Sequence, residues 1–459
     1  MFDILESCLD TPAAHKADIV QLRGQTRLMT TCKVKNSTVE TFSTLSLSGM
    51  GARVRVDNRS WGFSSTNVID EHSVQNALQN AIKLAKTASH TKSKEITLEP
   101  VPIIEKKVAT PVKKSVKSVS PEDIVDIVML ADKSTQKENI VNTETTFISM
   151  EDSKYFVSSE GSRIKMDIAR VMLFVSVVAK YNGKYVPTSD NVGHTGGMEL
   201  FDVTPPHVLG ENVASQAEQL LHASLPPSGK LKVVIHPTLC ATLLHEAIGH
   251  PLEADLAMAG GGFGSQLGEK VSSPLITIYD DGGVSHGLGQ LFYDDEGVSC
   301  ERTDLIRHGV LTSFMHDRES AAVQGVPPTG NGHAWDYSVE PLIRQTNIGI
   351  DPGDYTIEEM VADIDTGLFL NGTFGGQANS NADFTFGFQS ASRIEKGEIT
   401  ELLRGANVAG NAIDVFKTID AVGKKDVLRP GACGKGQFAV QGRIVPAIRC
   451  HIMVGGGGE

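Results

Sequence analysis

Two rhythms of apolar and polar residues organise the chain. Over residues 73–87, Val74, Ala77, Leu78, Ala81, Ile82 and Ala85 recur at helical spacing, which predicts a helix with one buried stripe. Before it, residues 28–65 read as extended chain, with Gly49, Gly51 and Gly62 expected to punctuate hairpins. Ser120-Pro121-Glu122-Asp123 starts a second helix: the serine caps, the proline suits the first turn, and the acids favour the dipole. Residues 140–187 return to the strand rhythm, with Asn182-Gly183 as a two-residue hairpin signal. Residues 230–235 form an apolar strand, and Pro237 opens a further helix. Beyond that helix, glycine and β-favouring residues dominate, with turns roughly every 8–12 residues. Such spacing predicts a large, mostly antiparallel sheet or barrel.

The expected class is α+β, in three units that suit a chain of 459 residues. They are an N-terminal α/β domain at 1–99, a middle domain at 100–222 with linker, helix and strands, and a C-terminal domain at 223–459. Lys106, Lys107, Lys113, Lys114 and Lys117, set among prolines and valines, read as solvated linker. There is no internal repeat of solenoid or propeller period. With 40% apolar and 21% charged residues the chain is globular. Its 42 basic and 55 acidic residues give a net charge of −13, which speaks against a nucleic-acid or anionic-membrane surface. Residues 1–6 are acidic where a secretory leader would be basic, and no apolar run reaches about 18 residues. Six scattered cysteines without C-x-x-C spacing suggest reduced thiols, and a cytoplasmic location is expected.

The chemistry concentrates at residues 245–250, HEAIGH, at the end of an apolar run. Two imidazoles and a carboxylate are what a hydrolytic zinc site needs: neutral nitrogen ligands, and a base for zinc-activated water. His245 and His250 are the candidate ligands and Glu246 the candidate base. The histidines stand five apart, not four, so at roughly 100° per residue a regular helix would point them about 140° apart. A π-bulge would bring them together, and Pro251 already demands an irregular helix there. The bland alternative is a buried helix whose polar residues are satisfied by neighbours.

Two residues compete as third ligand. Glu253 is local, three after His250, and the residues alone lean towards it. Cys433 is distant, but flanking glycines would let its backbone approach a site. His236 reads as a turn or cap residue, and His286, His308, His316 and His333 as surface or structural residues. Asp294, Asp295 and Glu296 read as a solvated acidic hairpin in preference to a second cation site. Residues 259–270, AGGGFGSQLGEK, lack the spacing of a phosphate loop and fit a mobile loop at the mouth of the site. Phe374, Gly375, Gly376 and Gln377 offer side-chain-poor backbone that could pair with an extended peptide.

Several motifs occur together in one order: HEAIGHPLE at 245–253, FYDDEGV at 292–298, PTGNG at 328–332, NGTFGGQ at 371–377, CGK at 433–435 and a glycine-rich tail. Looser matches lie at 49–65 and 158–162. In this the chain resembles the TldD/PmbA family of zinc peptidases, on the TldD side. The resemblance implies an N-terminal α/β region and a C-terminal barrel-like domain carrying the metal helix. It implies Zn2+ as cofactor and Cys433 as third ligand, which leaves Glu253 to orient a ligand histidine. It also implies a peptidase acting on unfolded or short peptides, leader-like segments included, paired as a dimer with a TldE/PmbA-type partner or with itself. Two alternatives are a non-hydrolytic scaffold subunit, as on the PmbA/TldE side, and a metal-dependent amidohydrolase acting on small molecules.

Overall fold

Two large sheets carry the chain in its computed structural model, which describes residues 1–12, 14–91 and 94–455. The end of the glycine-rich tail, 456–459, lies outside the described residues. The first sheet begins with β1 (Ile19–Lys35), β2 (Thr38–Val56) and β3 (Ser60–Thr66). Its turns fall at Asn36-Ser37 and Asp57-Asn58, all four with left-handed backbone. Short polar side chains tolerate that conformation by bonding locally. The glycines expected at the turns lie inside strands instead, where they admit close neighbours. A Cβ on Gly62 would stand 2.1 Å from the Ala81 carbonyl oxygen, so its absence lets helix Glu71–Ser89 settle onto β3. That helix is capped by Asp70 and buries the predicted stripe from Val74 to Ala85.

β4 (Glu105–Ala109) falls where a lysine-rich linker was expected. It pairs in parallel with the start of β6 (Arg163–Tyr181), and β7 (Lys184–Thr195) pairs with the rest of the same edge. Asn182-Gly183 makes the β6–β7 turn, both with positive φ, as the sequence indicates. With β5 (Ile140–Ser158) the order is β3-β2-β1-β5-β6-β4. All pairs except β4–β6 are antiparallel, so the N-terminal α/β expectation holds for the mixture of elements but not for strand direction. Helices Pro121–Ser134, capped by Ser120, and Pro206–Leu220 cover β5–β7 through Ile124, Val128, Leu173, Val175 and Val213.

The second sheet has eleven strands: β8 (Gly229–Ile235), β9 (Ile278–Asp280), β10 (Thr303–Arg307), β11 (Val310–Leu311), β14 (Asn347–Ile350), β15 (Thr366–Asn371), β16 (Gly375–Ala378), β17 (Asp383–Glu395), β18 (Glu398–Asn411), β19 (Ala421–Lys435) and β20 (Gln437–Gly455). A separate pair, β12 (Gly332–His333) and β13 (Leu342–Ile343), lies beside it. Between its strands, parallel pairing is confined to β14–β20 and β8–β15 among the described residues. β8, β15, β17, β18 and β20 pair in turn, and β8 returns to β20. The barrel-like closure expected from sequence is met only as this ring of pairings. The helix that leaves β8 buries Leu239, Leu243, Leu244, Ala247 and Ile248 against Phe384, Phe386 and Ile448. No described helix is long and apolar enough to cross a membrane.

Asp294, Asp295 and Glu296 are not solvated; all three are buried, and Asp295 and Glu296 fasten their segment to the first sheet. Asp295 meets Lys154 Nζ at 2.8 Å and Arg23 at 3.4 Å, from β5 and β1. Glu296 takes Arg53 of β2 and the backbone N–H of Arg318. Asp294 accepts the backbone N–H groups of Glu296, Val298 and Gly332. These partners leave no open oxygen set for a second cation. Burial opposes charge on Asp295, yet Lys154 and Arg23 hold its carboxyl down at about 2. A carboxyl depressed this way stabilises above its unfolded value near pH 4 and loses the contribution as pH falls towards 2. Asp295→Ala would strand two buried cations, and we expect it to cost about 3–5 kcal/mol in urea unfolding. Asp202→Ala, which removes an exposed partner of Lys114, should cost far less. Equal losses in the two variants would contradict the latch.

Candidate metal centre

The site is built where a helix changes its pitch. His236 caps the helix, its Nδ1 accepting from the Thr238 N–H, and Pro237 occupies the first turn. After Leu243 the α-helix widens into π-helix over Leu244–Gly249, and the His250 N–H donates to the His245 carbonyl, five residues back. A 3-10 turn at His250–Leu252, containing Pro251, then ends it. The wide turn offsets the five-residue spacing. The two imidazole centroids stand 4.6 Å apart, as the bulge expectation requires.

Donors from two distant segments converge here. His245, His250 and Cys433, the last on β19, each offer a ligand atom within 4.8 Å of the others. Each histidine is oriented through its Nδ1: His245 bonds Gln345 Oε1 at 2.7 Å, and His250 bonds Glu253 Oε1 at 2.9 Å. An oxygen acceptor there holds a proton on Nδ1, so Nε2 is the nitrogen that would offer its lone pair to a metal once its own proton is displaced. Glu246 spans both histidines, its two oxygens 3.7 and 3.8 Å from the two Nε2 atoms. Glu253 itself is fully buried and faces His250 and Lys435, outside the donor cluster.

The electrostatics divide the two imidazoles. Burial, with Arg443 and His250 nearby, pushes His245 well below its usual range and keeps it neutral. Burial also works against a proton on His250, but Cys433 and Glu253 beside it outweigh that and lift it to about 9. Burial opposes the Glu253 charge too, yet His250 and Lys435 hold its carboxyl below the usual value. Burial draws the Arg443 guanidinium down to about 10, against the pull of Glu246 and Cys433, so it stays charged at neutral pH.

The supporting residues were not legible in the sequence. Gln345, between β13 and β14, reaches the metal helix because Gly249 has no side chain; a Cβ there would stand 2.4 Å from Gln345 Oε1. That glycine inside the motif was the one signal available. Arg344 donates to the Cys433 sulfur and to the Lys435 carbonyl at 3.2 Å, and Lys435 ties Glu253 to Asp255.

Phe374, Gly375, Gly376 and Gln377 lie beside the site. β16 packs against the π-helical turn, pairs with β17 on one edge, and has no strand on the other among the described residues. Residues 259–270 are tied down where a mobile loop was expected: Phe263 is fully buried and Gly262 donates to the Ser380 carbonyl. The remaining histidines stand apart from the donor cluster. His316 bonds Ser320, His286 stacks on His194, and His333 lines a cavity between the sheets.

Models of the PmbA/TldA metallopeptidase match in three parts: domain 1 at residues 20–86, the central domain at 114–221 and the C-terminal domain at 228–456. A metalloprotease of Methanocaldococcus jannaschii is 33% identical over 408 residues, covering 88% of this chain and 89% of that one. A protein of Saccharolobus solfataricus named zinc metalloprotease TldD homolog is 30% identical over 86% of each chain. Among solved structures, TldE from Thermococcus kodakarensis superposes with a TM-score of 0.80 at 20% identity, covering 99% of this chain and 100% of that one, a likeness of fold.

The donor geometry predicts how metal content responds to substitution. Cys433→Ala should lose most zinc, whereas Glu253→Ala and Gln345→Ala should still bind it, with affinity reduced about 10–100-fold. Zinc titration with elemental analysis would check this. Full zinc occupancy in Cys433→Ala would remove the thiol from the ligand set.

Proposed function

Because the chain belongs to the PmbA/TldD metallopeptidase family, we propose that it is a zinc-dependent peptidase of the TldD type that cuts unfolded or short peptides, leader-like segments among them. The observation that carries this reading is the convergence of His245, His250 and Cys433 with Glu246 alongside. Two nitrogens and one sulfur suit zinc, and a three-ligand set keeps a position open for substrate. Zinc held there would supply Lewis acidity towards water and a peptide carbonyl. Glu246 would take the proton of the attacking water and deliver it to the leaving amine. Its side chain is 24% exposed, unlike fully buried His245, so a reactant can reach it. A scaffold subunit would have no use for this donor set.

The free edge of β16 beside the π-helical turn supports peptide over small-molecule amides. Main-chain pairing there would draw on amide groups every peptide shares, giving broad sequence tolerance. A folded domain would first have to unfold, at about 5–15 kcal/mol. We also read the enzyme as cytosolic, since all six cysteines are free.

Turnover on a panel of unrelated flexible peptides, beside a stable folded protein, tests this. Wild type should cut many peptides and spare the folded protein. Glu246→Gln should keep zinc while turnover falls about 10²–10⁴-fold. Near-normal turnover in that variant, or cleavage after one residue type only, would sink the reading.

For assembly we propose a two-subunit complex with a TldE/PmbA-type partner, or a homodimer when the chain is alone. The fold shared with TldE supports it. Sedimentation at micromolar concentration should find dimer, and a fully active monomer would contradict it.

A further inference from the structure

Arg443 is a buried cation with no carboxylate in ion-pair reach among the described residues. It lies on β20, directly opposite Arg429 of β19, and its side chain is about nine-tenths buried. Its hydrogen bonds are weak for such a site. Nη1 reaches Thr242 Oγ1 at 3.5 Å, and Nε has no partner. In the orientation the hydrogen-bond network favours, the Gln441 amide turns its oxygen to Arg443 Nη2 at 3.0 Å. Every other buried arginine among the described residues has a carboxylate in ion-pair reach, or, for Arg344, the Cys433 sulfur. Neighbouring Arg429 has Asp190. Arg443 has neither.

The chain makes room for this guanidinium. A Cβ on Gly431 would stand 2.7 Å from Arg443 Nε and 2.8 Å from Cζ. Gly431 lies two residues before Cys433 on β19, and Gln441, which bridges to Arg443, stands 3.2 Å from His245 Nε2. Arg443 is thus one side chain away from the candidate metal ligand, with Glu246 and Cys433 as its electrostatic attractions. In the proposed reaction neither of those is spare: Cys433 is committed to the metal and Glu246 to the proton. Retaining an unmatched buried cation is costly unless an anion arrives to meet it.

We propose that Arg443 forms a subsite for a carboxylate of the peptide substrate, held within about two residues of the scissile bond. The reach follows from the short path through Gln441, against roughly 3.3–3.6 Å per residue of extended chain. A guanidinium and a carboxylate match as a charge-assisted, hydrogen-bonded pair, and the 9% of Arg443 that stays exposed is where a carboxylate would meet it. Either a C-terminal carboxylate or an Asp/Glu side chain supplies that chemistry. The subsite adds one charge preference to otherwise sequence-tolerant main-chain binding, and it rests on the peptidase reading above.

The test uses peptides matched in all but one carboxylate: Glu against Gln at successive positions around the cut, and free against amidated C-termini. Calorimetric titration into zinc-loaded full-length Glu246→Gln protein reads binding without turnover, and kcat and KM are read separately on wild type. Acid peptides should bind about 10–100-fold tighter than their amide twins. The gain should appear in one arm, side chain or terminus, and mainly in KM. Arg443→Gln should bring the ratio near one, and Arg443→Lys should keep part of it, with zinc content and melting temperature showing that each variant is folded and loaded. Equal binding of acid and amide twins by the Arg443 protein, or a preference that survives Arg443→Gln, would overturn the subsite. Peptide binding with this Arg443-dependent ratio but no wild-type turnover would leave the subsite standing and remove the peptidase reading.

Discussion

One backbone hydrogen bond sets the terms for the rest of the site: the His250 N–H donates to the His245 carbonyl, five residues back, where an α-helix would bond four back. Without it, the spacing of the two histidines would send their side chains to different sides of the helix. The wide turn is enforced from both ends. Pro251 cannot continue the α-helical ladder, and the buried stripe from Leu239 to Ile248 fixes the helix in the apolar cluster. Packing of that stripe holds the wide turn in place.

Around that turn the supports come from remote parts of the chain. Gln345 enters through the gap at Gly249 and fixes one imidazole; Glu253 fixes the other and is itself held by Lys435. Lys435 sits two residues after Cys433, so one β-hairpin delivers both a donor and the cation that anchors a support. The buried Asp295–Lys154–Arg23 contacts fasten this half of the chain to the first sheet. Ligands placed by packed elements keep their geometry better than ligands on loops.

The local features were legible because local physics decides them. The stripe from Val74 to Ala85, the Ser120 cap, the Asn182-Gly183 turn and the wide turn at 245–250 all follow from neighbours within a few residues. What was not legible depends on partners far away in sequence. Asp295 and Glu296 look solvated until Arg23, Arg53 and Lys154 are brought to them across more than one hundred residues. β4 looks like linker until the edge of β6 offers it a ladder, and Gly49 and Gly62 mark close approaches, not turns. Gln345 and Arg443 carry no motif at all; only the fold shows what they face. Cys433 is intermediate, because its glycine setting hinted at close approach while its role came from resemblance.

The central claim is a site of two imidazoles and one thiolate on a π-helical turn. X-ray absorption at the zinc edge of the loaded protein addresses it most directly. One sulfur at about 2.3 Å and two imidazole nitrogens at about 2.0–2.1 Å are the shell this account predicts. A shell of nitrogen and oxygen only, with no sulfur, would contradict it.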